Sequence, residues 1–99
     1  MYCQSYFGEP VAVYLNRRLQ DVGMATRQMY GVPAIVINPN VTRQYSDLVT
    51  QWWFAHECAH HALPPHLNSE PNADCFAVRE LRRVGLLYTP SQLMHSHMN

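Results

Sequence analysis

Hydrophobic side chains recur at helical spacing near the start of the chain. Pro10 suits a first helical turn, and Gly23 follows the last apolar position. The apolar positions between them are three to four residues apart: Val11, Tyr14, Leu15, Leu19 and Val22. This spacing predicts an amphipathic helix over residues 10–22.

The next segment changes to an extended pattern. Residues 24–30 and 33–38 both favour extended structure, and Gly31 lies between them, which is typical of a hairpin. The stretch "AIVIN" is the most strand-like in the chain, because it is rich in β-branched residues and stops at Pro39. The sequence therefore predicts two strands in a small, mostly antiparallel sheet.

Helical spacing returns from Ser46. A helix capped by Ser46 or Asp47 should run to about Leu63, where two prolines stop it. A third helix should begin near Ser69 and end at Gly85, with its buried side formed by Ala73, Phe76, Ala77, Leu81 and Val84. Thr89 and Pro90 suggest a short terminal helix. The order of elements predicts an α+β fold, and residues 1–99 are expected to form a single domain.

The second predicted helix carries the sequence "HECAHH" at residues 56–61. His56 and His60 are four residues apart, so their imidazoles project from one face of the helix and can bind one tetrahedral zinc ion. Glu57 lies about 100° round the helix, beside the metal position. There its carboxylate can take a proton from a water molecule, which makes Glu57 the candidate general base.

A catalytic zinc needs a third protein ligand and an open fourth position. Glu70 is the best candidate, because it opens the next helix and the loop containing Pro64 and Pro65 allows the two helices to pack antiparallel. Asp74, four residues later, could accept a hydrogen bond from the non-ligating nitrogen of a zinc histidine. Both carboxylates are expected on the inner face of their helix, where a buried charge is costly unless it is paired or metal-bound.

"HECAH" followed by "EPNAD" resembles the gluzincin clan of zinc metallopeptidases, which pair HExxH with a later E-x-x-x-D. In size the chain resembles the minigluzincins, and "HECAHH…ADC" also resembles small bacterial proteins with those motifs. The resemblance covers residues 33–85. It implies zinc-dependent hydrolysis of peptide bonds. The implied zinc ligands are His56, His60 and Glu70, with Glu57 as general base and Asp74 supporting the ligands from the second coordination shell. It further implies that "PAIVINPN" is the edge strand above the cleft, where a peptide substrate adds as an antiparallel strand.

Larger gluzincins carry a second subdomain with a Tyr or His that stabilises the reaction intermediate. Tyr88, His95 and His97 are the candidates for that role here, and the sequence does not choose among them. The alternative function is a zinc-binding, latent or catalytically weak regulatory or interaction module on the same fold.

Three cysteines allow at most one internal disulfide. Cys58 and Cys75 could pair across two packed helices, which would indicate a periplasmic or secreted protein. Two buried thiols in the cytoplasm are the alternative. Cys3, His95 or His97 could instead occupy the open zinc position and keep the protein latent.

The remaining features exclude some partners and predict structural roles. The formal net charge is zero and every basic residue is an arginine, which gives little support to nucleic-acid binding. No apolar run approaches the roughly 20 residues that span a bilayer. His61 is expected to point away from the metal and to be partly exposed, and Trp52 and Trp53 are expected in the core.

Overall fold

Three short strands form one mixed sheet: β1 (Ala12–Leu15), β2 (Gly23–Arg27) and β3 (Pro33–Ile37). The computed structural model describes residues 2–27 and 31–85. The strand order is β1-β3-β2, with β3 parallel to β1 and antiparallel to β2. The predicted β2–β3 hairpin is therefore confirmed.

The strand β3 occupies the centre of the sheet. The expectation that "PAIVINPN" forms the edge above a cleft is wrong, because β1 and β2 flank β3 on both sides. Its side chains are almost all buried, which suits the continuous apolar sequence of this central strand. Of the described strands, β2 and β1 form the two edges.

The predicted helix over residues 10–22 is wrong, since residues 12–15 form β1. Asn16 ends this strand: its side-chain oxygen accepts a hydrogen bond from the backbone N–H of Arg18 at 2.9 Å, and its own N–H donates to Ile37 at 2.9 Å. An Asn side chain that bonds its own backbone competes with helix formation. Val13 and Tyr14 favour strands, and pairing with β3 satisfies their backbone groups.

The helices agree with the sequence pattern from residue 46 onward. The short α1 (Pro39–Thr42) leads to α2 (Asp47–Ala62), a single 3₁₀ turn and α3 (Glu70–Arg83). Ser46 and Ser69 cap α2 and α3, each by accepting a backbone hydrogen bond from the first turn. The predicted terminal helix at Thr89 and Pro90 lies outside the described residues.

The helix α2 lies between the sheet and α3, and the core is divided accordingly. One cluster joins α2 to α3 through Trp52, Ala55, Ala77 and Leu81. A second cluster joins α2 to the sheet and to the N-terminal loop through Cys3, Ile35, Ile37 and Cys58. Because α2 is covered on two sides, several of its polar side chains are withdrawn from solvent.

Candidate metal centre

His56 and His60 lie one turn apart on α2, with their ring centroids 5.0 Å apart. The ring of Trp52 packs against His56 at a centroid distance of 5.1 Å and restricts its orientation. His56 and Glu57 are each only 6% exposed. Candidate ligand atoms of His56, Glu57 and His60 lie within 4.8 Å of one another, so this group could hold a metal ion.

The first residue of α3 approaches both histidines. Glu70 places one carboxylate oxygen 2.9 Å from Nε2 of His56 and the other 3.2 Å from Nε2 of His60. The loop between the helices thus brings the three side chains predicted as ligands to one point. The Glu70 side chain is 73% exposed, so this point is open to solvent on the α3 side.

Asp74 lies one turn further along α3, with Oδ1 at 2.9 Å from Nδ1 of His56. The two atoms are close, although their orientation is not that of a hydrogen bond. Glu70 and Asp74 face α2 as expected, but neither side chain is buried, so the expectation that these carboxylates are withdrawn from solvent is wrong. The first turns of α3 border the open cleft, whereas its apolar positions from Ala73 onward pack against α2.

Asn68 holds His60 in place and was not predicted from the sequence. Its side-chain oxygen lies 2.7 Å from Nδ1 of His60, and its amide nitrogen donates to the His60 carbonyl at 3.2 Å. Because the amide nitrogen donates in the second contact, the oxygen accepts in the first, and Nδ1 carries the proton. Nε2 is the ring nitrogen that faces Glu70. The only sequence signal was a polar residue in the loop between the two motifs.

His61 is buried, contrary to the expectation that it is partly exposed. Its Nε2 lies 2.8 Å from the carbonyl oxygen of Ala34 in β3 and donates to it. This contact ties the last turn of α2 to the central strand. The third histidine of "HECAHH" therefore anchors the helix that carries the other two.

The candidate metal-binding group, His56, Glu57 and His60, lines a cavity of about 680 Å³ between α2 and β2. Trp53, one turn before His56, reaches this cavity and also packs on the α2–α3 core, while Trp52 is buried as predicted. The β2 residues Gly23–Arg27 form the opposite wall. Among the strands that the structure describes, β2 pairs with β3 alone, and its other edge is the rim of the cleft.

Burial raises the pKa of the Glu57 carboxyl above its ordinary value. Positive charge on His56 and His60 acts in the opposite direction, and the Glu70 and Asp21 carboxylates add to the increase. A carboxyl group of this kind exchanges protons closer to neutral pH than an exposed one.

The disulfide joins Cys3 to Cys58, and Cys75 is free and exposed. The Cys58–Cys75 bridge is therefore wrong, because Cys58 faces the sheet and the N-terminal loop whereas Cys75 lies on the solvent side of α3. Cys3 cannot serve as a latency ligand while it is in the disulfide. Tyr88, His95 and His97 lie outside the described residues.

Comparison with protein families, curated proteins and solved structures finds no match to this chain. The gluzincin resemblance thus rests on the motif residues and stays a prediction. Among the residues that the structure describes, no helix is long and apolar enough to cross a membrane.

Proposed function

We propose that this protein is a zinc-dependent metallopeptidase. The observation that carries the proposal is the convergence of the His56 and His60 imidazoles on the Glu70 carboxylate at 2.9 and 3.2 Å. Ligand atoms bound tetrahedrally at the usual zinc distances lie about 3.3 Å from one another. The two contacts of Glu70 are close to that spacing.

The donor atoms favour zinc. Two imidazole nitrogens and one carboxylate oxygen form a ligand set that zinc uses in hydrolytic sites, with a fourth position open. The Asn68 contact leaves Nε2 of His60 free to bind, and Asp74 lies 2.9 Å from Nδ1 of His56, where a hydrogen bond would favour the same tautomer of His56. When bound, zinc would polarise the scissile carbonyl and increase the acidity of water.

Glu57 is the proposed general base. Its buried carboxylate lies beside both histidines. The carboxylate that contacts the two Nε2 atoms is that of Glu70, so Glu57 is not needed as a ligand. Glu57 would accept a proton from the attacking water and later give it to the leaving amine. The raised pKa suits the first step, because it makes the carboxylate a stronger base toward the proton of the water.

The free edge of β2 supports a peptide as the substrate. An extended chain can form main-chain hydrogen bonds with an unpaired strand edge, and β2 lies across the cleft from the metal-binding group. The resemblance assigned this role to "PAIVINPN", but β3 is central and β2 takes its place. A peptide antiparallel to β2 would begin near Arg27 and end near Gly23.

The test compares wild type with Glu57→Gln on a library of quenched fluorescent peptides, with the zinc content of both measured. We expect both proteins to hold about one zinc ion per chain and the variant to lose hydrolysis by about 10²–10⁴-fold. Glu70→Ala should lose zinc as well as activity. Glu80→Gln, which removes a surface carboxylate from the same helix as Glu70, is the control and should change neither.

A zinc-binding module with weak turnover is the second candidate. The observation that favours it is the 73% exposure of Glu70, since an open site excludes water poorly. Zinc retained in wild type without hydrolysis of any peptide in the library would reject the peptidase and support the module. Failure of wild type to bind zinc would reject both.

The disulfide bears on the compartment. Cys3–Cys58 favours an oxidising environment, such as the periplasm or the extracellular space, because such bonds are rare in reducing cytoplasm.

A further inference from the structure

The N-terminal loop, residues 3–11, bridges the two walls of the cleft. Its ends approach each other, because the Val11 N–H donates to the Cys3 carbonyl at 3.1 Å, and Gln4 and Pro10 form an isolated β-bridge. The loop is thus closed on itself. It contacts α2 on one side and β2 on the other.

The attachment to α2 falls within the metal-binding motif. Cys3 is bonded to Cys58, which directly follows Glu57, and the Tyr6 N–H donates to the His61 carbonyl at 2.8 Å. Cys3 and Cys58 are both buried. The loop therefore holds a fixed position relative to the last two turns of α2.

The attachment to β2 is an ion pair at its last residue. Both oxygens of Glu9 accept hydrogen bonds from Arg27, at 3.0 and 3.2 Å, and Arg27 also donates to the Gly31 carbonyl at 2.6 Å. Ser5 orients the carboxylate, since its hydroxyl lies 2.9 Å from Glu9 Oε1 and accepts from the Glu9 N–H at 3.0 Å. The pKa of Glu9 is lowered chiefly by the Arg27 hydrogen bond.

We propose that the loop formed by residues 3–11 is a brace that positions the β2 rim for an extended peptide, with Glu9 as the positioning residue. Within residues 2–27 and 31–85 the rim strand has a neighbouring strand on one side only, so its distance from α2 depends on what holds it to α2. Glu9 provides such a link at the Arg27 end, where the N-terminal part of a bound peptide would lie. The peptide part of this inference rests on the proposed function, whereas the brace itself can be tested without activity.

Hydrogen exchange of the complete chain tests the brace directly. Glu9→Gln keeps the size of the side chain and removes its charge, so we expect backbone amides in residues 23–27 to exchange roughly two- to fivefold faster. Exchange in α3 should not change. Glu80→Gln is the matched control, because Glu80 forms a similar two-contact ion pair with Arg83 on α3, away from the cleft.

Two further variants separate positioning from a general loss of stability. The charge swap Glu9→Arg with Arg27→Glu should restore slow exchange in β2, which a merely structural role of Glu9 in its own loop would not produce. Cys3→Ala with Cys58→Ala should accelerate exchange in β2 by more than Glu9→Gln does. If the β2 amides of Glu9→Gln exchange at the same rate as those of wild type and of Glu80→Gln, the brace is overturned.

The consequence for a peptide is a separate measurement. In Glu9→Gln we expect KM for the best-cleaved library peptide to rise, with kcat and zinc content unchanged, because substrate alignment is altered and the metal-binding group is not. A fall in kcat alone would overturn the positioning role. If wild type cleaves no peptide, the peptidase proposal fails, while the exchange result still decides whether the brace holds β2.

Discussion

Asn68 and His60 are joined by two hydrogen bonds, one to the imidazole and one to the backbone carbonyl. The hydrogen bond to the imidazole fixes the proton on Nδ1 of His60. The hydrogen bond to the carbonyl fixes the orientation of the Asn68 amide that accepts this proton. A loop residue eight positions away thereby determines which nitrogen of His60 faces Glu70. The loop is consequently part of the candidate metal centre, although it supplies none of the proposed ligands.

Asn68→Ala should weaken zinc binding by about 10–100-fold, because His60 loses the group that fixes its ring and tautomer. Competition with a chromophoric chelator measures the dissociation constant. Asn72→Ala is the control, since Asn72 bonds the Leu67 carbonyl in the same loop and does not touch His60. Equal zinc affinity in the Asn68 variant and wild type would show that the Asn68–His60 hydrogen bond does not orient the imidazole for metal binding.

Glu57→Gln should stabilise the metal-free protein at neutral pH. Burial raises the pKa of Glu57, so the folded state binds more protons than the unfolded state between the ordinary value of 4.5 and the raised one. The free energy of unfolding therefore falls as the pH rises through that window. Above the window, the buried carboxylate is ionised and its full destabilising effect is present. Urea unfolding at several pH values should show no benefit of the variant well below pH 4.5 and a constant benefit above the raised pKa.

Glu9→Gln provides the opposite case in the same experiment. Arg27 lowers the pKa of Glu9, so its contribution to stability is present above the ordinary value and is lost as pH falls through the lowered one. The Glu9 variant should be less stable than wild type at neutral pH, and the difference should vanish in acid. If the stability gained by Glu57→Gln instead became smaller as the pH rises toward neutral, the burial of that carboxyl would be contradicted.

Gly23→Ala should destabilise the protein by about 1–3 kcal/mol through overpacking between β2 and β3. A Cβ at this position would lie 2.9 Å from Ile37 Cδ1 and 3.1 Å from the Val36 carbonyl oxygen, both too close. Combining it with Ile37→Val removes Cδ1, so the cost of Gly23→Ala should be smaller in that background. Urea unfolding of wild type, the two single variants and the double variant measures the difference. Purely additive effects would exclude the contact with Ile37 Cδ1 as the cause.

Thiol counting under denaturing, non-reducing conditions should find one reactive thiol per chain, at Cys75. Reduction of Cys3–Cys58 should lower the free energy of unfolding by roughly 2–4 kcal/mol, because it releases a constraint on the unfolded chain. Cys75→Ser should leave no reactive thiol and unchanged stability. Three thiols per chain in the wild-type protein would disprove the disulfide.

The helices α2 and α3 could be predicted because their information is local. Ser46 and Ser69 are caps, the prolines after Leu63 stop α2, and apolar spacing marks the buried side of each helix. The convergence of the histidine pair with Glu70 followed from two helices joined by a short loop. Each of these inferences needed only residues close together in the chain.

The wrong predictions concern contacts between distant segments. Apolar spacing in residues 10–22 fits a helix, yet Ala12–Leu15 is a strand because β3 offers it a partner about twenty residues later. The choice of Cys3 as the partner of Cys58 depends on which side of α2 the N-terminal loop reaches. Neither is visible in local periodicity.

The sequence by itself determined the α+β character, the two long helices and the identity of the candidate metal-binding side chains, because helix caps, stops and i,i+4 spacing are local properties. Only the tertiary structure decided that β2 is the rim, that Cys58 pairs with Cys3, and that Asn68 and His61 fix the last turn of the helix that carries the candidate metal ligands. Those outcomes depend on sheet order and on burial between remote segments. Pairing and burial of that kind are set by the packing of the whole chain, which no local pattern encodes.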